Sequence, residues 1–235
     1  MNKKGSNSMS RRHFLALSGA MAGTTLISPA SSIYSIDAET LQPAKKTKVA
    51  MVGTGSRGTG MWGRSVVQSY SDFVEFVGLC DINPGRVALA KKTMEVSCPT
   101  FTDFEKMMKD TKPEVLIVTT VDNTHDHFII RGMELGADII VEKPMTTDEK
   151  KMQAIIDAEK RTGKKCRVTF NYRYSPHRVK MWELLQAGEI GELTSVDFHW
   201  YLDTSHGADY FRRWHRLKEK GGSLWVHKAS HHFDL

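Results

Sequence analysis

"VAMVGTGSRG", residues 49 to 58, decides the fold. An apolar run enters Gly53-x-Gly55-x-x-Gly58, and a helical pattern follows over about 57 to 70. A buried strand that turns sharply into a helix needs one glycine for the turn, one that lets a pyrophosphate reach the backbone, and one for close helix–strand contact. The free amides at the helix start then favour phosphate charge. On this reading Gly53, Gly55, Ser56, Arg57 and Gly58 hold a dinucleotide. Asp81, ending the apolar stretch "FVEFVGLCD" (73 to 81), stands where a carboxylate accepts hydrogen bonds from the adenosine ribose hydroxyls. A carboxylate there repels a 2′-phosphate, so NAD is favoured over NADP, although Arg57 and Arg86 are near enough in sequence to soften that preference.

Outward from this turn, apolar and β-branched runs alternate with longer amphipathic ones. "TKVAMVG" (47 to 53), "EVLIVTT" (114 to 120) and "ADIIVEK" (137 to 143) join 73 to 81 as predicted strands. Helices are predicted at 57 to 70, 84 to 95 after the Asn83-Pro84 start, 103 to 110, 124 to 136 and 147 to 162, the last two closed by Gly136 and Gly163. Near-continuous apolar strands separated by helices imply an α/β fold with a Rossmann-type, doubly wound parallel sheet. The rhythm then changes. "CRVTFNYRY" (166 to 174) precedes a helix from Pro176 to Ala187 that Gly188 closes, and "LTSVDFHWYLD" (193 to 203) alternates like a strand with one solvated face. The expected organisation is a dinucleotide-binding domain at 47–165, then residues 166–235 as the incomplete start of an α+β domain with an open, mainly antiparallel sheet. Asp234-Leu235 reads as the first turn of a helix with no cap after it, so the chain is expected to be a fragment.

The amino terminus has a different character. Residues 1–30 carry Lys3, Lys4, Arg11 and Arg12 and no acid, then an apolar run from Phe14 to Ile27 and the small residues Ser28 and Ala30. That is the pattern of a signal peptide, its apolar run too short to span a bilayer. Ser10-Arg11-Arg12-His13-Phe14-Leu15 resembles the twin-arginine export signal, whose machinery carries folded proteins, though Ala16 replaces the usual basic residue. A periplasmic location is therefore expected, with 31–46 a linker. Those thirty residues hold four of the 33 Lys+Arg and none of the 27 Asp+Glu, so without them the net charge falls from +6 to +2. The basic balance is thus mostly address. Without a Lys/Arg stripe to neutralise phosphates, no nucleic-acid partner is expected. Cys80, Cys98 and Cys166 are odd in number and lack metal-like spacing, so they read as thiols in a protein that folds in a reducing compartment.

"GTGSRG", "VTTVDNTHDHF", "VEKPM", "NYRYSP" and "GGSLWVHKASHHFDL", in this order, resemble the Gfo/Idh/MocA family of oxidoreductases from Lys48 to Leu235. The resemblance implies a nucleotide-binding domain paired with an α+β domain whose open sheet faces the cofactor, activity on sugars or cyclic polyols, and pairing of copies through that sheet. It places Glu142-Lys143-Pro144 at the carboxyl end of a strand, with the Lys143 ammonium positioned to stabilise developing alkoxide as hydride leaves the substrate carbon. Thr119, Thr120 and His125 match a cofactor-lining loop, in which Val121 replaces a common proline. Asn171 and Arg173 match a segment that approaches the nicotinamide half, with a plain turn role still open for Asn171.

In the final motif relatives show an Asp, three residues, then a His. Here His231 stands at the His position and is expected to titrate near neutrality as general acid/base, but His227 replaces the Asp. Either His227 takes over as proton carrier or contact, or Lys228 reshapes the pocket. The histidines between 227 and 232 have no Cys or Glu partner at ligand spacing, so no metal is expected. Between the alternating stretch and this motif, Tyr201, Asp203, His206, Tyr210, Arg213, Trp214 and His215 form a set suited to stacking on sugar faces and binding hydroxyls, although packing on the sheet is the ordinary explanation for each aromatic.

Export imposes a further condition. Outside the cytoplasm there is no nicotinamide pool, so the cofactor must travel bound and be reoxidised in place. Oxidation of a sugar, glycoside or polyol hydroxyl with a second carbohydrate as hydride acceptor meets that condition. So does an NAD-dependent glycosidase that oxidises, eliminates, hydrates and re-reduces. A sugar-binding protein that merely retains NAD is the alternative from outside enzymology, with His227 in place of Asp as its best argument.

Overall fold

The computed structural model describes residues 45–201 and 203–234, excepting the side chain of His206. The signal expected at 1–30, and the linker up to residue 44, lie outside the described residues. Strand β1 (Thr47–Val52) leads through the glycine turn into α1, which starts as a π-helical stretch (Gly58–Arg64) and continues as α-helix (Ser65–Tyr70). There follow β2 (Val74–Cys80), α2 (Pro84–Met94), β3 (Thr100–Phe101), α3 (Phe104–Thr111), β4 (Val115–Val118), α4 (His125–Glu134), β5 (Asp138–Glu142), α5 (Glu149–Thr162) and β6 (Cys166–Thr169). All pairings are parallel, in the order β3-β2-β1-β4-β5-β6. The sheet therefore extends past the boundary that the sequence reading placed at residue 165, taking in β6.

The apolar strands are continuous because both of their faces are covered. Ala50 and Val52 pack with Met107, Met108, Ile129, Met133 and Ile155 from α3, α4 and α5. Their neighbours Val49 and Met51 point the other way, joining Val87, Ala90 and Met94 of α2. Local chemistry sets the helix ends. The Asn83 side chain accepts from the amides of Gly85 and Arg86 ahead of Pro84, Asp103 and Asp148 cap α3 and α5, and Gly163 closes α5 at φ +72°. Strand order reverses between β1 and β4, and at that point a crevice opens at the carboxyl ends of the strands.

Past β6 the chain makes a 3₁₀ turn (Asn171–Tyr174), helix α6 (Pro176–Gln186) and several short helical turns, the last of them Ser230–Phe233. The stretch read as a strand over 193 to 203 carries no ladder in its described residues. Alternation encodes two faces but not a pairing partner. Among the described residues no second sheet lies beside it, so its backbone has nothing to pair with. Its rings pack on other rings instead: Trp200 stacks 5.0 Å from Tyr172, and Phe198 lies tilted 4.5 Å from His232.

Candidate functional site

The three glycines do three different things. Gly53 has φ +90°, and a Cβ there would stand 2.6 to 2.7 Å from backbone atoms of Thr119 and Thr120. Gly58 lies beneath the turn, where a Cβ would overlap the Gly53 carbonyl oxygen and sit 2.6 Å from Thr119 Oγ1. At Gly55 a Cβ would meet nothing within 4 Å, so this is the open edge of the cradle. Asp81 is buried and already engaged. Its Oδ2 accepts from the Thr54 amide (2.8 Å) and hydroxyl (3.1 Å), and its Oδ1 from the Asn83 amide (2.9 Å). A carboxylate accepts about four such bonds, so one position on Oδ1 stays open to a ligand hydroxyl. Arg57 Nε and Trp62 Nε1 both donate to Glu142 Oε1, at 2.7 and 2.8 Å, which ties the loop and α1 to the end of β5.

After Glu142, the Lys143–Pro144 peptide is cis. The His125 ring lies between two backbone carbonyls, Nδ1 2.9 Å from that of Pro144 and Nε2 3.2 Å from that of Thr120, and whichever nitrogen carries the proton donates to its carbonyl, so the ring sits between the loops after β4 and β5. Lys143 Nζ donates to the His227 carbonyl at 2.8 Å and lies 3.4 Å from His227 Nε2. The opposite nitrogen, Nδ1, is hydrogen-bonded to Asp122 Oδ2. Burial pushes the Lys143 ammonium down to about 8 against the pull of Asp122 and Glu142, with Lys228 and Arg57 adding to the fall. Burial, then Lys143, Lys228 and Arg57, push His231 down to about 3. The expectation that His231 titrates near neutrality is therefore corrected: it is a neutral imidazole at physiological pH, stacked 4.1 Å from Tyr172. His215 is likewise pushed to about 4, first by burial and then by His227.

These groups border one cleft of about 720 Å³. Its wall includes Gly53, Gly55, Ser56, Arg57, Asp81, Thr119, Thr120, His125, Glu142, Lys143 and Asn171 from the cofactor set. Tyr210, Arg213, Trp214, His215, His227, Lys228 and His231 complete it from the other side. Three of the residues on this wall carry buried polar atoms without a protein partner: Asn171 Oδ1, His215 Nδ1 and His231 Nδ1. Buried polar groups in native proteins are almost always satisfied, so unpartnered atoms on residues that border the cleft are candidates for ligand contacts, although Thr146 Oγ1 and His232 Nε2, off the wall, are unpartnered too. With the open cradle at Gly55 and the remaining acceptor on Asp81, they fit an NAD molecule along the strand ends.

Three assignments fail and one changes meaning. Arg173 is not on the wall: its guanidinium grips Asp234, with Nε 2.8 and 2.7 Å from the two carboxylate oxygens. Tyr201 is 91% exposed and Asp203 is exposed, holding the Ser205 hydroxyl at 2.6 Å, and neither borders the cleft. Without a sheet beneath it, the 193–203 stretch does not carry those side chains inward. Glu142 is on the wall but braces the glycine loop through Arg57 and Trp62. The sequence reading missed Asp122, Thr54 and Trp62, each of which acts only through a residue far away in the chain.

A family model described as oxidoreductase family, NAD-binding Rossmann fold, matches residues 47–170, and its companion, the C-terminal alpha/beta domain, matches 182–235. YteT of Bacillus subtilis strain 168, provisionally named as an oxidoreductase, is 40% identical over 191 residues, which cover 80% of this chain and 45% of YteT. An inositol 2-dehydrogenase/D-chiro-inositol 3-dehydrogenase of Lactiplantibacillus plantarum is 29% identical over 162 residues, 68% of this chain and 46% of that protein. The chain thus spans about half the length of the curated relatives it matches. The WlbA dehydrogenase of Chromobacterium violaceum, solved with NADH and UDP-GlcNAcA, shares the fold with a TM-score of 0.71 at 22% identity, covering 81% of this chain and 54% of that one.

Proposed function

Because the chain belongs to the Gfo/Idh/MocA oxidoreductase family, whose nucleotide-binding domain takes NAD, we propose that it oxidises a hydroxyl of a sugar, glycoside or cyclic polyol with a tightly held, recycled cofactor. The supporting observation is that Asn171, His215 and His231, each with an unpartnered buried polar atom, border the same cleft as Lys143. Bound NAD supplies the hydride acceptor. The protein's own part is proton handling and orientation. A lysine pushed down to about 8 sits close to working pH, where it can both take a hydroxyl proton and return it. It is therefore the group we assign to the proton step. His231, neutral and unpartnered at Nδ1, orients a hydroxyl by hydrogen bonding and does not serve as an acid. Tyr210, Trp214 and His215 supply an apolar and aromatic wall for a ring face, and Arg213, held by Asp209 at 2.9 Å, fixes its rim.

The location belongs to the same proposal. Ser10-Arg11-Arg12-His13-Phe14-Leu15 supports twin-arginine export of the folded, cofactor-loaded protein to the periplasm. There the reduced cofactor is reoxidised in place by a second carbohydrate. The test is to purify the exported protein, measure its bound nucleotide by mass spectrometry, and follow reduced-nicotinamide absorbance while sugars, glycosides and polyols are added. We expect stoichiometric NAD and a spectral change with at least one polyhydroxylated substrate. An exported protein that carries no nucleotide, or one whose nucleotide never changes redox state, refutes the proposal.

A further inference from the structure

We propose that Asp122 is a positioning residue that fixes the tautomer of His227 and thereby supplies, from the loop after β4, the carboxylate that the His227 position lacks. The inference rests on the oxidoreductase reading above and adds a component to its proton path.

The geometry dictates the polarity of the ring. An ionised carboxylate only accepts, so the bond between Asp122 Oδ2 and His227 Nδ1 requires the proton on Nδ1. In a neutral imidazole Nε2 is then a bare acceptor. That atom faces the Lys143 ammonium 3.4 Å away, while the same ammonium donates to the His227 carbonyl at 2.8 Å. Lys143 is thus held by two acceptors of one residue. Asp122 and His227 keep 5% and 14% of their side chains exposed, so water does not compete strongly for either bond. When the Lys143 proton moves to Nε2, the N–H bond on Nζ breaks, one forms on the ring, and the resulting imidazolium is balanced by Asp122 without a second transfer. The other groups facing this pair are Tyr210, Trp214 and His215 around the ring and Glu142, Lys228 and Arg57 around the ammonium, and none of them supplies a carboxylate to His227.

Histidine-selective ¹⁵N NMR on the full 235-residue chain reads the tautomer directly and needs no substrate. We expect the wild-type His227 signal to be Nδ1-protonated, and Asp122→Leu, which removes the acceptor from a buried position, to lose that assignment. In the same variant kcat is expected to fall at least about 100-fold, with KM changed no more than a few-fold. Asp122→Asn, which keeps an acceptor oxygen but not the charge, should fall between the two. A wild-type ring protonated on Nε2, or an Asp122→Leu protein turning over at the wild-type rate, overturns the proposal. If Asp122→Leu does not fold, the wild-type and Asp122→Asn spectra decide it. Failure to turn over any hydroxyl substrate refutes the proposed activity and leaves the NMR result to judge the positioning role separately.

Discussion

Gly55 and Gly58 are three residues apart in one turn, yet their replacement by alanine should do opposite things. At Gly58 the new methyl overlaps the Gly53 carbonyl oxygen, stands 2.6 Å from Thr119 Oγ1 and 3.3 Å from Met51 Sδ. Two of those three atoms belong to the turn and to the end of β4, and neither can retreat without breaking the hydrogen bond from the Thr119 hydroxyl to Gly53. Overpacking of a rigid site costs roughly 1–3 kcal/mol, and we take the upper end. For a domain of this size about 3 kcal/mol lowers the melting temperature by about 6–12 °C. Gly55→Ala adds its methyl to open space, so the cofactor-free protein should melt within about 2 °C of wild type, surface changes of this kind usually staying within about 0.5 kcal/mol. Its methyl instead occupies the edge where the pyrophosphate must reach the backbone. A penalty of about 1.4–2.8 kcal/mol there weakens NAD 10–100-fold. Melting curves with and without NAD, with calorimetric titration, separate the two. Wild-type affinity in Gly55→Ala, or a wild-type melting point in Gly58→Ala, would show that these glycines are not divided between ligand access and packing.

Lys143→Met, close in volume and without charge, should keep NAD affinity and lose at least about 100-fold in turnover in a coupled absorbance assay. Between about pH 8 and 10.5 the unfolded chain holds a proton on Lys143 that the folded chain does not, so stability rises with pH across that window. Lys143→Met should flatten that rise in denaturant titrations. For His231 the same sign applies lower down: stability falls as pH drops from 6.5 towards 3, and His231→Phe should melt less steeply on acidification than wild type. Arg173→Gln should leave the NAD dissociation constant unchanged in titration, because that guanidinium serves Asp234 and not the cleft.

What the sequence disclosed depended on how local the physics is. The turn at Gly53, the Asn83-Pro84 start of α2 and the left-handed Gly163 closing α5 are each set within a few residues, and each could be read directly. The doubly wound sheet was legible for a similar reason, since continuous apolar strands have only one economical burial. Strand β3, at two residues, is too short to carry a periodicity, and it exists only because Leu79 and Cys80 offer it a register. The strand expected at 193 to 203 failed for the converse reason, having a periodicity but no neighbour. The site divides along the same line. Lys143 and the glycines were found because a motif names them. Asp122 was not, because as a sequence signal it is an ordinary acid ahead of a helix, and its meaning arises 105 residues later at His227. Read alone, the histidine at 227 looked like the loss of a carboxylate. The fold supplies that carboxylate from another strand end, so a substitution that argued against catalysis in the sequence becomes an argument for it once both loops are seen to share the cleft.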